Sequence, residues 1–200
     1  MSSSAAGQHP ADGATLTDGE IVLRPPTRYD AGAIVEAVRS SLDHLRPWMF
    51  WAHAHYGSAD AAAFLHAVEE GHELAFLVLD RKGGLHGMCS LNDLKDIHRT
   101  ANLGYWLRRS ATGAGTATRA ARLCLIHGLR DLRLERIEVV MSVANPPSRR
   151  VAERLGLAYE GTRRRALRIG DEQHDAHVFA ATRDDLELLV PTPFPASPAR

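Results

Sequence analysis

The sequence predicts an α+β domain around a mixed central β-sheet. Short apolar runs lie in hairpin-like pairs toward both ends of the chain, and between them the order becomes strand–helix–strand–helix. With 200 residues, one fold buries roughly 70% of its unfolded surface, so neither a disulfide nor a metal is needed as a staple.

Each element follows from local chemistry. Ile21 to Arg24 reads as a short strand, stopped by Pro25 and Pro26. From Tyr29 to Leu42, Ile34, Val35 and Val38 recur at helical spacing. A proline-broken aromatic segment, Leu45 to Trp51, follows. Ser58 is the expected N-cap of a helix running to about Gly71, with Ala62, Leu65 and Val68 on one side. Leu74 to Leu79 reads as a buried strand, Lys82-Gly83-Gly84 as a turn, and Leu85 to Leu91 as the strand it leads into. A polar loop then precedes a strand at Ala101 to Leu107. A glycine-containing turn opens a helix that reaches about Leu132, and Ile137 to Val143 forms the next strand. Asn145 caps a helix whose first turn holds Pro146 and Pro147 and which ends at Gly156. Strands near Ala158 to Leu167 and His174 to Thr182 close the domain. Residues 1–18, rich in Ser, Ala and Gly, are expected to form a disordered tail. Residues 190–200, with four prolines in the last ten, form a second one, which leaves 19–189 as the folded domain.

Composition excludes several classes. Lys plus Arg number 24 against 24 Asp plus Glu, whereas a dedicated nucleic-acid binder needs a basic excess to meet phosphates. No apolar run approaches the roughly 18 residues of a membrane helix. The opening MSSSAAGQHPADG has neither the basic nor the apolar part of a secretory signal. Cys89 and Cys124 form no CxxC pair and suit a reducing compartment, the cytoplasm, as inert core residues. The 11 histidines invite a metal, but His53 with His55 and His174 with His177 lack further ligands at convincing spacing, so no metal is expected.

The stretch that carries chemistry is NLGYWLRRSATGAGTATRAA, residues 102–121. A strand enters a turn containing Gly113 and Gly115, and a helix begins at once. Such a turn leaves main-chain N–H groups pointing outward in the positive field of a helix start, where glycine permits close approach of a phosphate. No Gly-Lys-Ser/Thr follows, as a nucleotide-triphosphate loop would need, and the spacing is not GxGxxG. The expected ligand is therefore a phosphate or pyrophosphate.

Several segments, in this order, resemble one family. They are LRPWMFW (45–51), SLND (90–93), ANLGYWL (101–107), TGAGTATRA (112–120), NPPSRRVAERLGL (145–157), EGTRRRA (160–166) and the late Asp175. Together they resemble the GNAT superfamily of acyl-CoA-dependent N-acyltransferases, closest to the RimJ/RimL-type branch that acetylates protein N-termini. The resemblance implies a GNAT fold with a splayed pair of strands flanked by helices, acetyl-CoA as co-substrate, and a homodimer as an assembly common among RimL-like relatives. It also implies that Thr112, Gly113, Ala114, Gly115, Thr116 and Ala117 form the pyrophosphate loop. Thr112 replaces the family's long polar side chain, so phosphate binding falls to main-chain amides, with Arg108 and Arg109 as candidate supplements. The backbone at Trp106 and Leu107 would pair with the pantetheine arm. Asn145 would hold that arm as well as cap its helix, and Ser148 would sit near the thioester sulfur. Trp48 and Trp51 would wall the acceptor pocket, with SLND as a loop beside it.

Acyl transfer from a thioester needs a neutral amine, a donor for the oxyanion and a proton for the departing thiolate. Ser148 is assigned the proton and a main-chain N–H near Leu107 the oxyanion. Relatives carry Glu where this chain has Asn102, and an amide takes up no proton at neutral pH. A water chain ending at Asp93, Asp96 or His98 is one substitute; an acceptor that needs no strong base is the other. An α-amine is about one-tenth neutral at pH 7, whereas a lysine amine is neutral about once in a few thousand. The expected acceptor is therefore a protein or peptide N-terminus. Alternatives are a small-molecule amine such as a polyamine or amino-sugar, and a non-catalytic acyl-CoA-binding regulator. Arg163, Arg164, Arg165 and Arg168 read as solvated strand surface or, alternatively, as a face for an acidic substrate protein, and one of Arg149, Arg150 and Arg154 as a contact to the 3′-phosphate.

Overall fold

The computed structural model describes residues 14–190. Residues 1–13 and 191–200, most of the two expected tails, lie outside the described residues. The eight strands are β1 (Leu16–Thr17), β2 (Ile21–Arg24), β3 (Leu74–Asp80), β4 (Leu85–Lys95), β5 (Thr100–Leu107), β6 (Arg136–Ser142), β7 (Ala158–Ile169) and β8 (Glu172–Thr182). The helices are α1 (Ala31–Arg39), α2 (Leu42–Leu45), α3 (Ser58–Glu69), α4 (Thr116–Ile126), α5 (Pro146–Arg154) and α6 (Leu186–Leu189). The strands form one sheet in the order β1-β2-β3-β4-β5-β6-β8-β7. Every neighbouring pair is antiparallel except β5 and β6, which run parallel. The sheet is therefore mixed and helix-flanked, as expected.

Three local expectations are corrected. Leu16 and Thr17, inside the expected N-terminal tail, pair with Leu23 and Val22 as β1, and Asp18 holds Arg119 at 2.6 Å. Ser58 is the first residue of α3 rather than its cap: the Gly57 N–H donates to the Asp60 carboxylate at 2.8 Å, so an acid in the first turn satisfies the helix start. Residues 90–93, expected as a loop, lie within β4. Leu91 is buried on one face while Ser90 and Asn92 point to the other, toward a cavity, so a polar strand face masks the periodicity.

The sheet buries both faces. On one, Leu125 of α4 and Val151 of α5 pack in one core with Leu23, Phe76, Leu91, Leu103 and Ile137 of the strands. On the other, Ile34 and Val38 of α1 and Leu65 of α3 pack with Leu77 and Met88 of the strands. Each fully buried Leu or Ile contributes about 1.5–3 kcal/mol by leaving water. Cys89 and Cys124 are free and wholly buried in the first core. A hydrogen bond from Cys124 and then burial push the Cys89 thiol well up, so it stays protonated.

The feature that positions the site is where pairing stops. β5 and β6 pair only at Thr100↔Arg136, Ala101↔Ile137 and Asn102↔Glu138. Beyond those positions β4 still holds β5 as far as Leu107, and β8 still holds β6 as far as Ser142. Two intact antiparallel sheets thus fan apart from a three-residue junction. Near that junction Arg136 bridges Glu138 and Glu160, and Arg163 joins Glu138 at 3.0 Å.

Candidate active site

β5 runs into a short 3-10 turn, Arg109–Ala111, and then into the glycine turn. Gly113 and Gly115 have φ of 85° and 80°, a region that side-chain-bearing residues occupy at a cost, and Gly115 is the N-cap of α4. A Cβ at either glycine would meet no atom within 4 Å, so conformation rather than packing requires glycine there. No side chain caps α4, and the Arg119 N–H is the first to bond back, to the Gly115 carbonyl at 3.1 Å. The amides of Thr116, Ala117 and Thr118 therefore have no intrahelical acceptor. Thr112 is exposed, and its hydroxyl donates to the Arg109 carbonyl at 2.8 Å. Arg108 is committed elsewhere, to both carboxylate oxygens of Glu36 at 2.5 Å. Arg109 lies close enough to His44 to hold the imidazole pKa down, after burial.

The open edge of β5 follows from hydrogen-bond alternation. The Arg108 N–H donates to the His86 carbonyl at 2.8 Å, and the register pairs Leu107 with Gly87 and Trp106 with Met88. In an antiparallel ladder, alternate residues turn their main-chain groups toward the partner. Trp106 therefore faces β4, while Tyr105 and Leu107, beyond the last pair with β6, present theirs to the gap. Of the two residues expected to pair with a pantetheine arm, Leu107 offers free main-chain groups and Trp106 does not.

A cavity of about 730 Å³ passes through this gap. Leu103 to Trp106 and Val139 to Ser142 line it from the two parted strands, Asn145 and Ser148 from the start of α5, and Trp48 and Trp51 from the aromatic segment. Asn145 caps α5 by accepting the Ser148 N–H at 3.2 Å. The Ser148 hydroxyl lies 2.8 Å from the Tyr105 hydroxyl, a partner not singled out from sequence. Burial pushes the Tyr105 phenol well above its ordinary range, so this hydroxyl keeps its proton at any physiological pH. Trp51 packs edge-on to Trp106 with centroids 5.7 Å apart and against Tyr56 at 5.8 Å. Arg168 reaches the cavity from β7, between Leu167 and Ile169, rather than standing on solvated surface alone.

On the far wall the polar groups form a row. Asn92 lies opposite Asn102 across β4 and β5, and the Asn102 amide donates to the Asn92 carbonyl oxygen at 2.9 Å. The Asn102 Oδ1 is buried with no hydrogen-bond partner. Gly104, the next residue on that face, sits where a Cβ would come 3.1 Å from the Asn92 amide nitrogen. Glu73, at the head of β3, also lines the cavity. Burial raises its carboxyl pKa, and a hydrogen bond with the Ser90 hydroxyl acts in the opposite sense.

Asp93, expected beside the acceptor, does not join this cavity. It lies at a bulge with φ of 50°, exposed and paired with Lys95 at 3.2 Å. Asp96 and His98 do not line the cavity either. Arg149 is engaged by Glu153 at 2.7 Å. Among the described residues no group of three His, Cys, Asp or Glu side chains converges as a metal site would require, and no helix is long and apolar enough to cross a membrane.

Comparison with known proteins bears on this geometry. The acetyltransferase (GNAT) domain model matches residues 20–158. The putative ribosomal N-acetyltransferase YdaF of Bacillus subtilis (strain 168) is 30% identical over 179 residues, 84% of this chain and 93% of the relative. The structure of Mycobacterium smegmatis RimJ in complex with CoA-disulfide matches with a TM-score of 0.79 at 26% identity, covering 89% of this chain and 91% of that one. RimL, the ribosomal L7/L12 α-N-protein acetyltransferase in complex with coenzyme A, matches at 0.79 and 20% identity over 86% of this chain and 99% of its own, a likeness of fold.

Proposed function

The chain belongs to the GNAT acetyltransferase family, and from that premise we propose that it moves an acetyl group from acetyl-CoA to the α-amine of a protein or peptide N-terminus, by direct attack in a ternary complex. The observation that carries this reading is the gap between β5 and β6, which opens a cavity from the acceptor wall to the edge of β5. Acetyl-CoA supplies an activated acyl thioester. The residues present fit such a molecule: unpaired amides at Thr116 to Thr118 suit its diphosphate, and the free main-chain edge at Tyr105 and Leu107 suits an extended amide-bearing arm.

Around the reacting atoms the chain's own groups divide the work. The Leu107 N–H faces the gap and is our oxyanion donor. Tyr105 and Ser148 share a hydrogen bond, and both hydroxyls are protonated at neutral pH, so the pair holds a proton for the departing sulfur. Trp48 and Trp51 wall the acceptor end and exclude water from the amine's approach. An N-terminal α-amine suits this site because about one-tenth of it is already neutral at pH 7. The name of the Bacillus subtilis relative also favours a protein acceptor. The cytoplasm is the matching compartment, where acetyl-CoA is made and free thiols such as Cys89 and Cys124 stay reduced.

The test is thiol release from acetyl-CoA with a panel of N-terminal peptides, a polyamine and an amino-sugar. Faster turnover of peptides is expected. Preference for a small amine would move the assignment to a small-molecule acetyltransferase, and acetyl-CoA binding without turnover of any amine would make the chain a regulator.

A further inference from the structure

Position 102 holds an amide, and the carboxylates nearest in sequence lie outside the cavity. We propose that Glu73 accepts the proton that the acceptor ammonium must lose, a role that rests on the acetyl-transfer reading. The register places it there. Leu74 pairs with Leu91, so Glu73 stands opposite Asn92, and Asn92 stands opposite Asn102. Side chains of paired residues share a face, and Glu73, Asn92 and Asn102 therefore form one row across three strands.

Three further observations point the same way. The lining carboxylates are Glu73 and Asp60, and Asp60 is already occupied by the Gly57 N–H at 2.8 Å and His53 at 3.2 Å. Glu73 is drawn to Ser90, which lies directly opposite Gly104 on the central strand. The missing side chain at Gly104 leaves bare sheet beside the gap, where an amine can approach the thioester. The orphaned Asn102 Oδ1 is an acceptor that holds a second N–H of the same ammonium while the first is transferred. Strand spacing puts Glu73 roughly 10 Å from Asn102 at the backbone, a span its side chain closes directly or with one water.

The step balances without further reagents. The ammonium gives one proton to the Glu73 carboxylate, and its nitrogen lone pair then forms the bond to the acyl carbon. The carbon–sulfur bond breaks toward sulfur, which takes a proton from the Tyr105–Ser148 pair. The second proton of the amine nitrogen restores that pair, and Glu73 releases its own to solvent. Burial, by raising the carboxyl pKa, makes Glu73 a stronger base than an exposed glutamate.

The experiment compares two acceptors, an N-terminal peptide and an analogue whose α-amine is replaced by an acyl hydrazide, whose nitrogen is neutral at pH 7 and needs no base to expose its lone pair. In Glu73→Gln, kcat for the peptide at pH 7 should fall about 100-fold, its acidic limb should move up to the ionisation of the α-amine itself, and turnover of the hydrazide should fall no more than about threefold. Acetyl-CoA affinity should not change. Equal losses with both acceptors, or no loss with either, would overturn the assignment. Should Glu73→Gln fail to fold, Ser90→Ala decides: it removes the bond that lowers the Glu73 pKa, so the acidic limb must move to higher pH, and an unmoved limb overturns the proposal. Native chain that turns over neither acceptor would instead overturn the acetyl-transfer reading, and Glu73 with it.

Discussion

On the side of the gap proposed for the donor, the groups left unpaired belong to the main chain: the amides that open α4 and the edge of β5. On the side proposed for the acceptor, the cavity is lined by side chains brought from separate segments, Trp48 and Trp51, Glu73, Asn92 and Asn102. The difference teaches where each half tolerates change. A main-chain site depends on conformation, so Thr112 can replace a long polar residue at little cost. A side-chain site depends on which groups register puts side by side, and in our proposal the amide at 102 shifts the base role to a neighbour.

The strongest way to break the comparison is at the junction of the two halves. Tyr105→Phe removes the hydroxyl bonded to Ser148 while leaving both walls in place. We expect kcat to fall about 10–100-fold with acetyl-CoA affinity unchanged, read by steady-state kinetics and calorimetry. Loss of affinity instead would place Tyr105 among the donor-binding groups.

A donor-side pair sharpens it. Gly115→Val forces a β-branched residue to φ of 80°, costing about 1–2 kcal/mol and turning the loop amides away, so acetyl-CoA affinity should drop roughly tenfold or more. Thr112→Ala should change it less than about threefold. A larger effect at Thr112 than at Gly115 would mean that side chains, not amides, hold the ligand.

The smallest effect concerns the support of the acceptor side. The Arg24 guanidinium, with the Thr27 N–H, holds the Asp30 carboxyl down to about 2 at the start of α1. A folded value below the unfolded one of about 3.9 stabilises the native state above that pH, and the contribution disappears as pH falls from about 4 toward 2. Partial exposure of Arg24 screens the pair, so about 1–2 kcal/mol is expected at neutral pH. Urea melts of Asp30→Asn should show that loss at pH 7 and converge with the native chain near pH 2. Parallel curves at all pH values would remove the ion pair from the account.

Much of the fold was legible in the chain. β2 has the expected bounds, β3, β5, β6 and the Asn145-capped α5 fall within a residue or two of expectation, and the glycine turn leads into α4 as anticipated. The failures have causes. β4 was cut short because Ser90 and Asn92 point into a cavity and read as loop. The cap of α3 was misplaced because Asp60, inside the helix, serves a glycine that carries no side chain. Glu73 stands outside every motif and Tyr105 inside one, but the partners that give them a role, Ser90 and Ser148, are brought to them only by folding.

Residues adjacent in sequence dictate local backbone conformation, and for that reason the strand and helix pattern, the left-handed glycines and the exposed amides of the donor loop could all be derived from the chain alone. Where the sheet parts, and which carboxylate faces the gap, were decided only by tertiary structure. Cross-strand neighbours depend on register, and since side chains alternate between faces, a slip of one residue would turn Glu73 into the opposite core.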